Sequence, residues 1–583
     1  MPRKHVKGRS VRADESARAD RRSPPLQTSN PENEFLSFLL PEKGPLERWI
    51  AFGVFAVSLL YLSFFRRYTS MDPDEGIILQ GAQRILQGQV LYRDFFSYFT
   101  PGSYYFLALI FKIFGSSLVV ARTTLAVYGG LFSVFTYLMA RRVCSRGFAL
   151  FSSYLVTLTC LPWRFLEIHN WDSTLWACAA VYCGIRFLES RGAGWILAVG
   201  SFASLTFLFE QSKGAGLALG TGLGFAIILK LNPAPGHLAR RHWVTLAVGF
   251  LWPFVLTLSF FAAQHALSIM ISDWFWPFWH YSGVNRVPYG FQRWAGILSQ
   301  GDLRPGAWFG KVVAILAMGS SLLLPALPIV GMMLGVYWIL KAKSLRLEPV
   351  KAAYYIFTCS AIAGLFLSVV IARADALHFV YLIPLLYLVL AWIMDGRDLR
   401  GNRESSFWSL VNIVIFLAFT TTGAAFLSAN HRADITLKTR RGTLRVARQD
   451  SVVNFTQANV PAGSKILVYP YLPLYYYLTA TFSPARFDYL QPGMHTRAQE
   501  EEAIREISAN RTPVVLWEFG FSEKIPNSWP NTPLRYMLDA PIADYITSEY
   551  HSCRVLTSAA GWRFLYMVRN GLQCPSASAK SPG

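Results

Sequence analysis

Long apolar stretches separated by short polar ones run through most of the chain before residue 430. Most are about 17 to 25 residues, the length at which a helix crosses a hydrocarbon core of about 30 Å. They fall at 48–65, 118–140, 148–163, 173–189, 194–209, 214–230, 243–268, 311–340, 352–371, 378–394 and 407–428, about eleven spans in all. The stretch 311–340 is long for one helix and carries Pro325 and Pro328, so it reads either as one kinked span or as two short segments. After Leu427 the pattern shortens to that of a water-exposed domain. Lys465-Ile466-Leu467-Val468-Tyr469, Pro513-Val514-Val515-Leu516-Trp517 and 562–568 read as strands, with a helix over 500–510. The expected fold class is an α-helical polytopic membrane protein with a small C-terminal α/β domain. Its expected parts are a basic tail (1–47), a membrane domain (48–428) with a long first outer loop (66–117), and a C-terminal domain (429–583).

Composition agrees with lipid as solvent, since 53% of the residues are hydrophobic, only 15% are charged and the mean hydropathy is +0.31. Orientation follows from Lys and Arg in the loops, which stay on the cytoplasmic side. The basic loops come at every second gap: the tail (Arg3, Lys4, Lys7, Arg9, Arg12, Arg18, Arg21, Arg22), Arg141-Arg142 with Arg146, Arg186 with Arg191, Lys230 to Arg241, Lys341 to Lys351, and Arg397 to Arg403. An odd number of spans then places the N-terminus inside and the C-terminal domain outside. The net charge of +21 is carried largely by this tail and these loops, so it does not argue for nucleic acid. Residues 1–30 lack the apolar core of a cleavable signal, so Trp49 to Phe65 is expected to remain as an anchor. The seven cysteines show no metal-ligand spacing, and only Cys553 and Cys574 share the outer domain, where a disulfide between them is compatible with the sequence.

Carboxylates beside hydrocarbon are costly unless they line a hydrated cavity and are usually kept for a task. Asp72-Pro73-Asp74-Glu75-Gly76 stands just beyond the first span. Asp72 or Asp74 is expected to cap a helix running to Leu86, but a cap needs one acid and three crowd this turn. Further polar clusters lie in loops on the same side: Trp163 to Asp172, Glu210 to Gly214, Asp273 to His280, and Arg373 to His378. Each also has a plain structural role open to it. Trp274, Trp276 and Trp279 suit an interfacial belt, Lys213 and Arg373 can snorkel to headgroups, and Asp375 can pair with Arg373.

The first loop resembles that of the polytopic lipid-linked-sugar glycosyltransferases of the GT-C fold, the group of the protein O-mannosyltransferases and the lipid A aminoarabinose transferase. The resemblance rests on Asp74-Glu75, on Gly88-Gln89-Val90-Leu91-Tyr92-Arg93-Asp94-Phe95, on the Pro101-Gly102 turn before an aromatic-rich helix, on Phe114-Gly115-Ser116 with Arg122, and on Arg141-Arg142. It is strongest over residues 66–145. It implies a sugar donor carried on a polyprenyl phosphate and an acceptor hydroxyl, on lipid, glycan or protein, presented at the outer face.

By that resemblance Asp74 is the expected base, with Glu75 supporting its position or charge state, and the anomeric configuration inverts without a second carboxylate nucleophile. Lys213 is expected at the donor phosphate, and Arg373 and His378 at phosphate or sugar. Glu167, His169 and Asp172 occupy the loop where some relatives carry another acid, and Tyr92, Arg93 and Asp94 are candidates to order the first loop against the acceptor. A divalent cation bridging Asp74, Glu75 and phosphate is compatible with these residues, although no ligand set demands one. Tyr98-Phe99-Thr100-Pro101-Gly102 stands where the aminoarabinose transferases carry a Glu-Lys-Pro-Pro-like stretch, which argues against a lipid A acceptor. No outer loop holds the large sugar-binding insertion of the eukaryotic mannosyltransferases, so the expected location is a bacterial inner membrane with the site facing the periplasm. The competing readings are a transporter or flippase of lipid-linked sugars, which would show an internal repeat and midplane charges, and a surface-polysaccharide polymerase or ligase. Tyr471 to Leu478, with three consecutive tyrosines, is expected to pack against the membrane domain rather than present a sugar-binding face.

Overall fold

All eleven apolar segments are helical in the computed structural model, which describes residues 44–231, 240–291, 308–343, 349–400, 406–533 and 540–575. The tail at 1–43 and the centres of three basic loops, at 232–239, 344–348 and 401–405, lie outside the described residues. The chain divides after Arg48 into two units, and the site belongs wholly to the second, Trp49–Gly583.

The helices in chain order are α1 (Gly44–Ser63), α2 (Pro73–Leu86), α3 (Gly102–Phe114), α4 (Leu118–Ala140), α5 (Arg146–Thr159), α6 (His169–Ser190), α7 (Ala193–Phe209), α8 (Gln211–Leu231), α9 (Arg240–Ala263), α10 (Leu267–His280), α11 (Trp308–Lys343), α12 (Pro349–Ala372), α13 (Ile383–Asp395) and α14 (Ser406–His431). Seven of these, α1, α4, α8, α9, α11, α12 and α14, are long and apolar enough to cross a membrane by length and composition. The other four expected spans are shorter or more polar: α5, α7 and α13 have 14, 17 and 13 residues, and α6 carries Asp172, Arg186 and Glu189. The stretch around Pro325 and Pro328 is a single 36-residue helix, α11, and not two segments.

Small residues let two of these helices approach backbone to backbone. A Cβ on Gly216 of α8 would lie 2.3 Å from the Gly364 carbonyl of α12, and one on Gly220 would lie 2.4 Å from the Ser360 carbonyl. That close approach is the geometry small-residue stripes provide in lipid, where packing rather than water exclusion joins helices.

Beyond α14 the chain forms a two-stranded hairpin, β1 (Ile435–Thr439) and β2 (Gly442–Val446), and a four-stranded mixed sheet. The larger sheet is built from β3 (Leu467–Tyr469), β4 (Val514–Glu518), β5 (Tyr550–Thr557) and β6 (Arg563–Arg569) in the order β3-β4-β6-β5. β3 and β4 are parallel, joined through α15 (Leu474–Thr479) and α16 (Arg497–Ala509), while β6 runs antiparallel to both its neighbours. All three expected strands and the expected helix are present. Cys553 and Cys574 are joined as a disulfide.

The C-terminal part sits directly on the first loop. Tyr475, Tyr476 and Tyr477 on α15 are fully buried, and α15 packs on α2 so tightly that a Cβ on Gly76 would meet the Leu474 amide nitrogen at 2.0 Å. Gln80 of α2 donates to the Thr481 carbonyl at 3.4 Å and Arg84 pairs with Asp488 at 2.9 Å, so this helix is held along its length. The tyrosine run therefore serves packing, as its aromatic bulk beside an apolar helix face suggested. Gly76→Ala is expected to cost about 1–3 kcal/mol, the usual penalty for overpacking against atoms that cannot move aside, read as a lower melting temperature of the purified protein.

Candidate functional site

The site begins where α2 begins. Asp72 has extended backbone and its carboxylate accepts the Asp74 amide at 3.0 Å, with Pro73 at the first helical position, so the expected N-cap is Asp72. Capping uses up Asp72 and leaves Asp74 and Glu75 in the first turn, pointing to different surroundings.

Asp74 is three-tenths exposed. One of its oxygens takes a hydrogen bond from the Arg164 guanidinium and the other accepts the Tyr471 hydroxyl at 2.7 Å. Burial pushes its carboxyl up, but the Arg164 charge and the Tyr471 hydrogen bond outweigh this and hold it below the ordinary carboxylate value. Asp72 moves the other way. Burial and the neighbouring Asp74 charge raise it against the pull of Arg164, which approaches it at 3.3 Å. Two carboxyls in one turn, each about three-tenths exposed, are thus separated in proton affinity.

Glu75 faces inward and is fully buried. Arg122 of α4 binds it through two parallel bonds of 2.8 and 2.6 Å, and the Glu167 amide donates to it at 3.1 Å. Arg122 thus engages both Glu75 oxygens, and the Glu167 amide adds a second donor to one of them. Glu75 ties α2 to α4 and to the loop before α6.

Lys213 is enclosed rather than presented. Its ammonium meets Glu210 at 2.9 Å, the Asn170 carbonyl and the Ser173 hydroxyl at 2.9 Å each, and the Thr174 hydroxyl at 3.2 Å, with the Tyr381 ring 5.5 Å away. Burial pushes the Glu210 carboxyl up, but Lys213 and His169 outweigh it and bring it down to about 2. His169 lies between these groups, within electrostatic reach of Glu210, Lys213, Asp74 and His378, its ring 4.1 Å from that of Phe99.

Arg373, Asp375 and His378 form a compact triad in which Asp375 pairs with Arg373 at 2.5 Å and His378 at 2.6 Å and caps the short helix Ala376–Val380. Arg373 also donates to Asn285 at 2.9 Å and to the Ser528 carbonyl at 2.5 Å, which ties the C-terminal part to this loop. The burial of Asp375 is outweighed by His378 and Arg373, which hold its carboxyl well below the usual range.

The remaining first-loop candidates order the loop itself. Tyr92 has φ +71° and is buried; its hydroxyl donates to the Phe99 carbonyl at 2.8 Å and accepts from Trp274 at 2.8 Å. Asp94 pairs with Arg93 at 2.9 Å and accepts the Val90 amide at 2.7 Å. Glu167 and Asp172 are buried behind Glu75.

Two residues central to this geometry were not singled out from the sequence. Arg164 bridges Asp72, Asp74 and the Tyr381 hydroxyl, and Tyr471 brings the C-terminal part to Asp74. Arg164 lies within the polar cluster Trp163 to Asp172 noted in the sequence, but was given no role of its own there. One group of metal-ligating side chains is found among the described residues, His551 with Cys553 and Cys574, and those two sulfurs are bonded to each other.

A family model described as dolichyl-phosphate-mannose-protein mannosyltransferase matches residues 99–260, less than half of the chain. The family it describes is the one that the first-loop motifs resemble, and the two overlap over residues 99–145. No curated protein matches. Among solved structures, the oligosaccharyltransferase of Archaeoglobus fulgidus tethered to an acceptor peptide is similar at 13% identity, over 89% of this chain and 74% of that one, with a TM-score of 0.48. The ArnT structure from Cupriavidus metallidurans bound to undecaprenyl phosphate is similar at 12% identity, over 91% of this chain and 99% of that one, with a TM-score of 0.47.

Proposed function

We propose that this chain is an integral membrane glycosyltransferase of the GT-C type that moves a sugar from a polyprenyl-phosphate donor to an acceptor hydroxyl. The observation that carries the reading is Asp74: an open carboxylate, kept ionised by Arg164 and Tyr471, at the start of a helix whose next residue is locked inward by Arg122. The match to the mannosyltransferase family model, covering α3 to α9, supports it.

A sugar leaving as its polyprenyl phosphate already has a stable leaving group, so the protein must supply a base for the acceptor proton and a cationic environment for the phosphate. Asp74 takes the proton as the acceptor oxygen attacks the anomeric carbon. Displacement on the face opposite the phosphate inverts the configuration, and no carboxylate nucleophile is required. Arg164 beside Asp74, with Arg373 and His378 of the neighbouring loop, are the cations and donors for the phosphate end. Lys213 contributes by fixing α6, α7 and α8 together around His169.

The basic tail (1–47), membrane domain (48–428) and outer α/β domain (429–583) go with an N-terminus in the cytoplasm and a site facing the periplasm of a bacterial inner membrane. A transporter remains the reading to beat, and turnover separates them. Membranes carrying wild-type protein or Asp74→Asn, matched for expression, are given radiolabelled sugars on polyprenyl phosphate in a panel. Transfer of one sugar by wild type alone supports the proposal and names the donor; no transfer of any sugar by either protein counts against it.

Tyr471 gives a second, graded test. Its hydrogen bond helps depress the Asp74 carboxyl, so Tyr471→Phe raises that carboxyl relative to wild type. A base acts when ionised, so activity is present above the carboxyl's pKa and falls as pH drops through it. The acid limb of the pH–rate profile is therefore expected at higher pH in Tyr471→Phe than in wild type, with the plateau at neutral pH nearly kept.

A further inference from the structure

A cavity of about 410 Å³ opens where the end of α2 meets the C-terminal part. Arg84, in its wall, stands ten residues beyond Asp74 on the same helix, about 15 Å further along the axis at about 1.5 Å per residue. The volume is in the range of sites that hold small ligands, and none of the groups assigned to the transfer chemistry lines it.

The last turn of α2 and the stretch after it build one side of the cavity, the C-terminal part builds the other, and each is fixed by its own bonds. Arg84 donates to the Gln89 side chain at 2.6 Å, the Asp94 carbonyl at 3.0 Å and the Ala485 carbonyl at 3.3 Å. On the C-terminal side, Asn510 accepts the Lys465 ammonium at 2.8 Å and donates to the Pro484 carbonyl at 2.8 Å, and Glu506 accepts the Arg486 amide at 2.8 Å. A ligand meets these groups already in place, with little side-chain freedom left to lose.

The chemistry of the wall narrows the ligand. Three of its charged side chains already face an opposite charge: Arg84 pairs with Asp488 at 2.9 Å, Asp94 with Arg93 at 2.9 Å and Arg486 with Asp273 at 3.5 Å. Lys465 and Glu506 are left, one of each sign, so no cationic excess awaits a phosphate. Phe482, Pro484 and Ala485 are the only apolar side chains in the wall, too few to hold a lipid chain. The rest of the polar lining is neutral amide, Gln87, Gln89 and Asn510, beside the half-buried Phe482 ring. Gln87 is exposed at the end of α2, and among the described residues its side-chain amide bonds to no protein group. An amide sets a donor next to an acceptor, which suits adjacent hydroxyls, and the electron-rich face of an aromatic ring suits the C–H face of a sugar.

We infer that this cavity binds a neutral oligosaccharide, with hydroxyls on Gln87, Gln89 and Asn510 and one sugar ring against Phe482. The site is a holding site and not a reacting one. A glycan seated there is gripped at once by the first loop and the C-terminal part, the two parts that also meet where Tyr471 reaches Asp74. Binding there requires no turnover, so it stands or falls apart from the transfer reaction.

The test is direct binding. Full-length protein in a detergent without a sugar headgroup is applied to a printed array of neutral, acidic and phosphorylated glycans, and the neutral glycans it retains are titrated by saturation-transfer NMR. Wild type is expected to retain neutral oligosaccharides in preference to phosphorylated ones. Gln87→Ala and Phe482→Leu are each expected to weaken binding about two- to tenfold, the weight of one hydrogen bond or one ring contact. Gln87→Ala removes an exposed side chain without a protein partner, so it keeps the test open should Phe482→Leu lower the melting temperature. Asp74→Asn is expected to bind as wild type does. An array that retains no neutral glycan overturns the assignment, as does a preference for phosphorylated glycans or binding that both wall variants keep unchanged. Binding lost in Asp74→Asn overturns it too, since the glycan then sits in the transfer site.

Discussion

Asp74→Asn is expected to lower sugar transfer by about 10²- to 10⁴-fold, the range a positioned acid or base supplies, with a smaller fall in melting temperature, since Arg164 loses one carboxylate but keeps Asp72 and Tyr381. Asparagine has nearly the volume of aspartate and can still accept the Tyr471 hydroxyl through its amide oxygen. It has no basic site for the acceptor proton. Asp74 is the acid of its turn committed neither to the helix cap, as Asp72 is, nor to Arg122, as Glu75 is. Asp72→Asn should therefore behave differently, because asparagine caps helices about as well as aspartate. Rates for the two variants beside their melting curves distinguish loss of the base from loss of local charge.

The second large effect is on stability. Arg122→Met leaves the Glu75 carboxylate buried with only the Glu167 amide to satisfy it, and breaking a buried pair from one side costs about 3–5 kcal/mol. The structural reason is that both partners are almost wholly out of solvent, at 1% and 0% exposed. Glu75→Gln combined with Arg122→Met removes both charges and should recover much of that loss, because the penalty comes from the orphaned ion more than from the missing attraction. Thermal melts of the two single variants and the double variant measure this. If the double variant is as unstable as Arg122→Met alone, the pair matters through packing and not through charge.

The elements that the sequence made legible were those set by local patterns. All eleven apolar stretches are helical, and for the seven long and apolar enough to cross a membrane a helix is the way a single segment satisfies its own backbone in hydrocarbon. Asp72-Pro73 announced the start of α2, and strands at 467–469, 514–518 and 563–569 followed from short β-branched and aromatic runs between polar segments. Of the site, the sequence made legible the carboxylates and the cations Lys213, Arg373 and His378, but not the partners that hold Asp74. Arg164 reaches Asp74 across 90 residues and Tyr471 across 397, and no local pattern encodes such a meeting. The enclosure of Lys213 was partly visible, since Glu210 and Lys213 stand three apart, the spacing of side-chain neighbours on a helix. Its remaining partners, Asn170, Ser173 and Thr174, come from α6, whose own polarity reflects the network it carries. The relation of Glu75 to Arg122 joins an acid noted beside the first span to an arginine noted for resemblance alone.

Chemistry and transport part most cleanly where there is no second compartment. Purified protein in detergent micelles, supplied with the polyprenyl-phosphate sugar that its membranes consume and with acceptor extracted from those membranes, is assayed for free polyprenyl phosphate. The account predicts that free polyprenyl phosphate accumulates with wild type and stays at background with Asp74→Asn. Donor that survives intact in micelles, yet crosses the bilayer when the same protein is placed in liposomes, would contradict it.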